Sequence, residues 1–451
     1  VSLYPSEDGD LQLDQIDYLR QRYSGHVIGL STHEYHDWSS SMLISYGKGA
    51  RTWERHIDID YQGVAVSPYC SLPEQCDQWF KAFHKAKEMC GGNSQSRRVI
   101  SRGETEYLDQ LVRGAYAKRL VAGVRKAGGI WTERDLAEYR VVEREPIRIR
   151  HRGFEIVTAP PPSSGGVALA TMLKVLEGYD YPRLGKAERS HLFIEAMRRA
   201  YRDRALYLGD PDFVQAPVDM LVSDAYAAGL RASIHPARAT PSDLLPGVDA
   251  QPLRPDTSHF SVIDTEGNLV AVTQTVNLPY GNALMVPGTG FLLNNEMDDF
   301  SVKPGVPNAF GLVGDDANAI APGKRPLSSM TPSFLVGPER TAVLGTPGGS
   351  RIITMVLLGI LGYDDGLTAQ QVAALPRYHH QWLPDEISAE TGAFSPEVAK
   401  QLQAMGHKVE LPGDSAEGGR GSSHVWGNLQ TVEWDRRSNV LSGGSDPRNP
   451  V

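Results

Sequence analysis

Apolar and polar positions alternate with period two over Phe260-Ser261-Val262-Ile263 and again over Leu269-Val270-Ala271-Val272-Thr273-Gln274-Thr275. The turn sequence Asp264-Thr265-Glu266-Gly267-Asn268 separates the two runs. Two alternating runs about a Gly-Asn turn predict a β-hairpin, and Thr257 stands at its mouth. Upstream the pattern differs. Residues 13–22, 36–46 and 73–89 read as helices and 27–31 as a strand, an alternation that suggests βα units over about the first 118 residues. From 119 a helix runs to the glycines at 128–129, and Thr132-Glu133-Arg134-Asp135 reads as a helix cap.

A strand over 154–159 stops at Pro160-Pro161-Pro162, and Ser163-Ser164-Gly165-Gly166 opens a helix to about residue 176. The helix over 188–206 carries apolar residues at Leu192, Ala196, Ala200 and Tyr201, and its Arg198, Arg199 and Arg202 read as solvated surface. Residues 234–256 hold Pro236, Pro241, Pro246, Pro252 and Pro255 and read as an extended connection. Helices over 351–361 and 396–405 and a closing hairpin over 425–434 and 440–445 complete the chain.

Composition narrows the function. With 451 residues, 41% of them hydrophobic, the chain can bury a large core and is expected to form more than one domain. A formal charge of -9 leaves no basic footprint for nucleic acid, and no apolar run is long enough for a membrane span. Three cysteines, Cys70, Cys76 and Cys90, all fall before residue 100, which speaks against a disulfide framework. The first residues, Val1-Ser2-Leu3-Tyr4-Pro5, show no export signal, and a valine start suggests a fragment or processed product.

Thr257 is the candidate nucleophile. A threonine hydroxyl is weak by itself, but cleavage before Thr257 would place an α-amine on the same residue to act as its base. The run 256–277 closely resembles the γ-glutamyltranspeptidases. So do Leu292-Leu293-Asn294-Asn295-Glu296-Met297-Asp298-Asp299-Phe300, Gly323-Lys324-Arg325-Pro326-Leu327-Ser328-Ser329-Met330 and Gly345-Thr346-Pro347-Gly348-Gly349-Ser350-Arg351. Four motifs in order are a strong signal. The resemblance implies an α/β fold of the N-terminal-nucleophile hydrolase type, an αββα sandwich, cut between Asp256 and Thr257.

It further implies Thr257 as nucleophile, Thr275 as its hydrogen-bonding partner, and Gly348 and Gly349 as oxyanion donors. Asn277, Glu296 and Asp299 would face the donor's ammonium, Ser328 and Ser329 its carboxylate, and residues 303–318 would cover the substrate. The implied reaction is γ-glutamyl transfer to an amino acid or dipeptide and hydrolysis by water, with glutathione as a donor, by a heterodimer of the cleaved subunits and without a cofactor. Family members are commonly periplasmic or extracellular. On this basis 119–256 corresponds to the C-terminal part of the large subunit and 257–451 to the small subunit. The part of the large subunit upstream of Arg119, with an arginine that grips the donor's carboxylate, has no counterpart in 1–118.

Residues 1–118 carry a different likeness. Gly29-Leu30-Ser31-Thr32-His33, Trp53-Glu54-Arg55-His56-Ile57-Asp58 and Ser71-Leu72-Pro73-Glu74 resemble the closing part of the sialic acid synthase barrel, and 103–114 its linker. In that family the histidines matching His33 and His56 bind a divalent metal. Roughly three βα units are too few for a closed barrel, which takes about 250 residues, so a partial (β/α) fragment is expected. Two alternatives to γ-glutamyl transfer follow: an inactive hybrid of two incomplete domains, or a synthase-like, metal-dependent condensation of phosphoenolpyruvate with an amino sugar.

Overall fold

The computed structural model describes residues 8–31, 33, 37–59, 70–90, 109, 111–245, 257–264, 266–410 and 426–448. The synthase-like linker, for the most part, and the connection at 246–256 lie outside them, as does Asp256. The chain forms two compact units, Val1–Tyr107 and Leu108–Val451.

In the first unit, α1 (Gln15–Arg22), β1 (Gly29–Ser31), α2 (Ser40–Gly47), β2 (Thr52–Glu54) and α3 (Pro73–Cys90) follow one another. β1 and β2 pair in parallel with Leu30 opposite Trp53, so α2 is the crossover that a parallel pair requires. Met42, Trp79 and Ala82 are buried together, with Trp53 and Phe83 against them. The three cysteines are free thiols.

The second unit begins with α4 (Ala115–Lys126), which ends where Gly128 turns to φ +91°. Six strands then form one antiparallel sheet: β3 (Ile147–His151), β4 (Phe154–Thr158), β7 (Ser333–Val336), β8 (Arg340–Gly345), β12 (Gln430–Asp435) and β13 (Val440–Ser445). Between β4 and β7 the chain makes α5 (Gly165–Glu177), α6 (Lys186–Tyr207) and the hairpin of β5 (Ser258–Ile263) and β6 (Leu269–Gln274). After β8 come α7 (Ile352–Asp364), the short strands β9 (Tyr378–His379), β10 (Ile387–Ala389) and β11 (Val409–Glu410), and α8 (Pro396–Ala404).

Strand alternation sorts the layers. Ile149, Ile156, Leu335 and Ala342 are cross-strand neighbours on one sheet face and join the helices in the main core. The β5–β6 hairpin packs against β8 and β12 from the other face. α7 is buried from Ile352 to Tyr363, as its unbroken apolar sequence requires.

The arginines of α6 overturn the expectation of a solvated face. Arg198 and Arg199 are 2% and 1% exposed. Both pair with the buried Glu195, at 3.3 and 2.6 Å, and Arg198 also bonds Asp385. α6 is covered on all sides, and its i,i+3 and i,i+4 ion pairs are what permit those cations to be buried. Arg202 is partly exposed and reaches Asp203 at 3.0 Å.

Candidate active site

The hairpin register places the candidate nucleophile. Ser258 pairs with Gln274, which sets Thr257 beside Thr275 just beyond the ladder. Thr257 Oγ1 donates to Thr275 Oγ1 at 3.1 Å, and Thr275 Oγ1 also accepts the Asn277 backbone N–H at 2.8 Å. Asn277 leaves the strand with φ +74°, a conformation that asparagine tolerates better than most residues. Its side chain is buried and donates to the Asn295 carbonyl at 3.1 Å.

Thr257, Thr275, Asn277, Asp299, Ser328, Ser329 and Gly349 line one narrow pocket, so seven of the nine residues expected there meet. Glu296 shares a 3-10 turn with Asp299, and Gly348 precedes Gly349. Phe310, from the expected covering segment, forms a wall with Met330 and Ile352. His33 and His56 belong to the other unit.

The anionic forms of both acids are disfavoured where they sit. Burial raises Asp299 well above the usual carboxylate range, the adjacent Glu296 raises it further, and Arg204 opposes both. Glu296 is raised by burial too, and its Oε1 has no hydrogen-bond partner among the described residues. A buried acceptor pair of like charge is an incomplete site for a cation.

The serines are fixed by the Pro-rich turn. Ser164 donates to the Ser328 carbonyl from both its backbone N–H, at 2.8 Å, and its hydroxyl, at 2.7 Å, and Ser163 Oγ donates to the Met330 carbonyl at 2.6 Å. Behind them lies Arg204, 4% exposed, with Nε 2.9 Å from Ser164 Oγ and Nη2 3.4 Å from Ser329 Oγ. Arg204 escaped the sequence reading because it shares a helix with Arg198, Arg199 and Arg202, which read as surface. The signal available was a helix with apolar residues on every side, where a basic residue must face something polar.

Gly348 and Gly349 have φ +137° and +55°, which turns the backbone into the 3-10 turn Gly349–Arg351 ahead of α7. Gly427 presses on this loop: a Cβ there would lie 2.0 Å from the Pro347 oxygen. His259, a second residue the sequence reading passed over, is buried on the same hairpin face as Thr257. Its ring bridges Thr273 Oγ1 at 2.7 Å and Ser261 Oγ at 3.0 Å, and Ser261 Oγ donates onward to the Gln430 carbonyl at 3.2 Å. Because Ser261 gives its proton to Gln430, the imidazole donates from Nε2 and accepts at Nδ1.

In the first unit the rings of His33 and His56 lie 5.1 Å apart, following β1 and β2 respectively. Burial lowers the pKa of His33, and the His56 ring lowers it further. Elsewhere, His191, Glu195 and His407 form a buried group with metal-ligand spacing. Its carboxylate is already taken by Arg198 and Arg199, and His191 Nδ1 lies 2.7 Å from His407 Nε2, so the group is held as a hydrogen-bonded ion-pair cluster, with His407 Nδ1 alone in it lacking a hydrogen-bond partner among the described residues. No helix of the described residues is long and apolar enough to cross a membrane.

Comparison with known proteins identifies the family of the chain. The chain is 44% identical over 346 residues to the glutathione hydrolase proenzyme of Escherichia coli (strain K12), an overlap of 76% of this chain and 57% of that protein. To the glutathione hydrolase proenzyme of Pseudomonas sp. (strain A14) it is 45% identical over 324 residues, 71% of this chain and 56% of the relative. It thus spans little more than half the length of these relatives. The fold is shared with the cephalosporin acylase from Bacillus halodurans, with a TM-score of 0.63 at 21% identity over 99% of this chain and 82% of that one. Residues 1–95 match the NeuB family. Residues 94–450 match the model for gamma-glutamyltranspeptidase, beginning upstream of Lys118, where the sequence motifs change character, and the chain belongs to that family.

Proposed function

We propose that the chain hydrolyses and transfers γ-glutamyl groups, with glutathione as a donor, as an N-terminal-nucleophile enzyme of αββα architecture. Hydrolysis of the Asp256–Thr257 bond separates 1–256, which carries the large-subunit part 119–256, from 257–451, and the two pieces stay together as a heterodimer. The freed amine of Thr257 takes the proton of Oγ1 while that oxygen attacks the γ-carbonyl. The proton passes to the departing amine, the carbon–nitrogen bond breaks, and a γ-glutamyl ester remains on Thr257. Water, or the amine of an amino acid or dipeptide, attacks the ester, loses a proton to the same base, and Oγ1 leaves protonated.

Gly348 and Gly349 supply N–H donors to the oxyanion of each addition. Glu296 and Asp299, with Asn277, take the donor's ammonium, whose charge offsets their repulsion. Ser328 and Ser329 take its carboxylate, with Arg204 polarising Ser329 from behind. These steps call on no metal or organic cofactor.

The observation that most supports this reading is the 3.1 Å Thr257–Thr275 contact in one cleft with Asp299, the two serines and Gly349. The test is intact mass of the full chain during incubation, followed by a γ-glutamyl anilide assay. Two fragments dividing at Thr257, absent in Thr257→Ala, are expected. A single uncut mass in folded protein would sink the proposal and favour an inactive hybrid.

A second reading concerns the first unit as a partial (β/α) barrel. The proximity of His33 and His56 favours a divalent-metal site there, with phosphoenolpyruvate condensation as the associated chemistry. Stoichiometric metal in the full chain, lost in His33→Ala, is the expected result; equal metal content in both proteins would reject it.

A further inference from the structure

Away from the catalytic cleft, the second unit holds a cavity of about 530 Å³. It lies beside the N-terminal half of α6, the C-terminal half of α7 and the start of α8. Arg189 on its wall and Arg204 behind Ser329 are 15 positions apart on α6, a separation of about 22 Å along the helix. The two sites are therefore distinct.

The cavity has an apolar floor and a charged rim. Phe193, Leu358, Leu361, Leu375 and Phe394 supply the floor. Tyr378 is hydrogen-bonded by Ser190, and so presents a neutral polar pair rather than a charge. Arg189 is consumed by Asp365 and by the faces of Tyr181 and Phe193, 5.3 and 5.2 Å from its guanidinium. Lys186 is different. It lines the same cavity, is exposed, and its ammonium has no ion pair or hydrogen bond to any described residue. The rim carries two cations against one carboxylate.

We propose that this cavity binds a small amphipathic monoanion, an alkyl or arylalkyl carboxylate, with its apolar body on the floor and its head at Lys186. The volume lies in the range of small-molecule sites, about 300–1,000 Å³, which characteristically combine an apolar lining with a few polar groups that set orientation. Charge selects the class: an alcohol of the same length forfeits the attraction to Lys186, and an alkylammonium meets repulsion there.

The test uses the full chain and isothermal titration with octanoate, 4-phenylbutyrate, 1-octanol and octylamine. Saturable binding of the two carboxylates below about 10 mM is expected, about fivefold or more tighter than that of the alcohol, with the amine weakest. Lys186→Glu should weaken the carboxylates by about fivefold or more and leave 1-octanol unchanged. Val398→Trp, which fills the cavity from α8, should abolish all binding. Self-cleavage should proceed as in the parent in both variants. Equal binding of alcohol and carboxylate, indifference to Lys186→Glu, or no saturable binding would overturn the proposal; so would carboxylate binding that survives in a folded Val398→Trp.

Discussion

His259 ties the stability of the catalytic hairpin to pH. Burial pulls its pKa from the ordinary 6.5 down to about 4, so the folded state holds it neutral while the unfolded chain protonates it readily. A folded value below the unfolded one means that the residue imposes no penalty well above pH 6.5, and that stability is lost as pH falls from 6.5 toward 4. At about pH 5.5 linkage puts the loss near tenfold in the folding equilibrium, or about 1.4 kcal/mol. His259→Gln removes this titration while keeping a polar side chain.

At about pH 7.5 the variant should be less stable than the parent by about 1 kcal/mol, the worth of one of the two ring hydrogen bonds. At about pH 5.5 that gap should close. Urea unfolding at both pH values, on a Thr257→Ala background so that every molecule is uncut, reads the difference directly. His151, His380 and His407 are also held neutral by burial, but they titrate in both proteins and cancel. A gap that stays constant or widens on acidification would refute the assignment of a buried neutral imidazole.

Thr275→Val keeps the strand's shape but leaves the Asn277 N–H without its acceptor and Thr257 without its partner, so self-cleavage followed by mass should slow about 10- to 100-fold and recover in Thr275→Ser. Gly427→Ala would drive a Cβ into the Pro347 oxygen at a position with φ +69°; a loss of about 1–3 kcal/mol in stability and slower anilide turnover are expected, and unchanged melting and turnover would dismiss the contact. Asp299→Asn relieves a repulsion that grows as pH rises through the raised pKa. The unliganded variant should therefore gain stability over the parent from mildly acidic to neutral pH while its KM for a γ-glutamyl donor rises; parallel pH–stability curves would remove the like-charge pair from the account.

The hairpin was legible because its information is local: period-two alternation and a Gly-Asn turn fix both strands, and their register brings Thr257 to Thr275. The parallel pair β1–β2 could likewise be anticipated from alternating helix and strand. What escaped depends on how surfaces are covered. Arg198 and Arg199 look solvated until α6 is enclosed, and Arg204 gains its position only when Ser164 and Ser329 converge from distant parts of the second unit's sequence. His259 has no distinguishing spacing; its place comes from the sheet that closes over it, where Gly345 leaves room for the ring. The left-handed turn at Asn277 is a property of the loop after β6 rather than of any composition there.

α6 carries three fixed attachments on one rod: Arg189 on Asp365, Arg198 on Asp385, and Arg204 behind Ser329. Each added or deleted residue in such a helix turns everything beyond it by about 100° and shifts it by about 1.5 Å. The helix therefore acts as a phase gauge, tolerant of exchanged side chains at its partly exposed positions but not of a change in length. A single deletion between Glu195 and Arg204 would point the guanidinium away from Ser329 and leave the hydroxyl side of the cleft unsupported, without touching any residue that lines it.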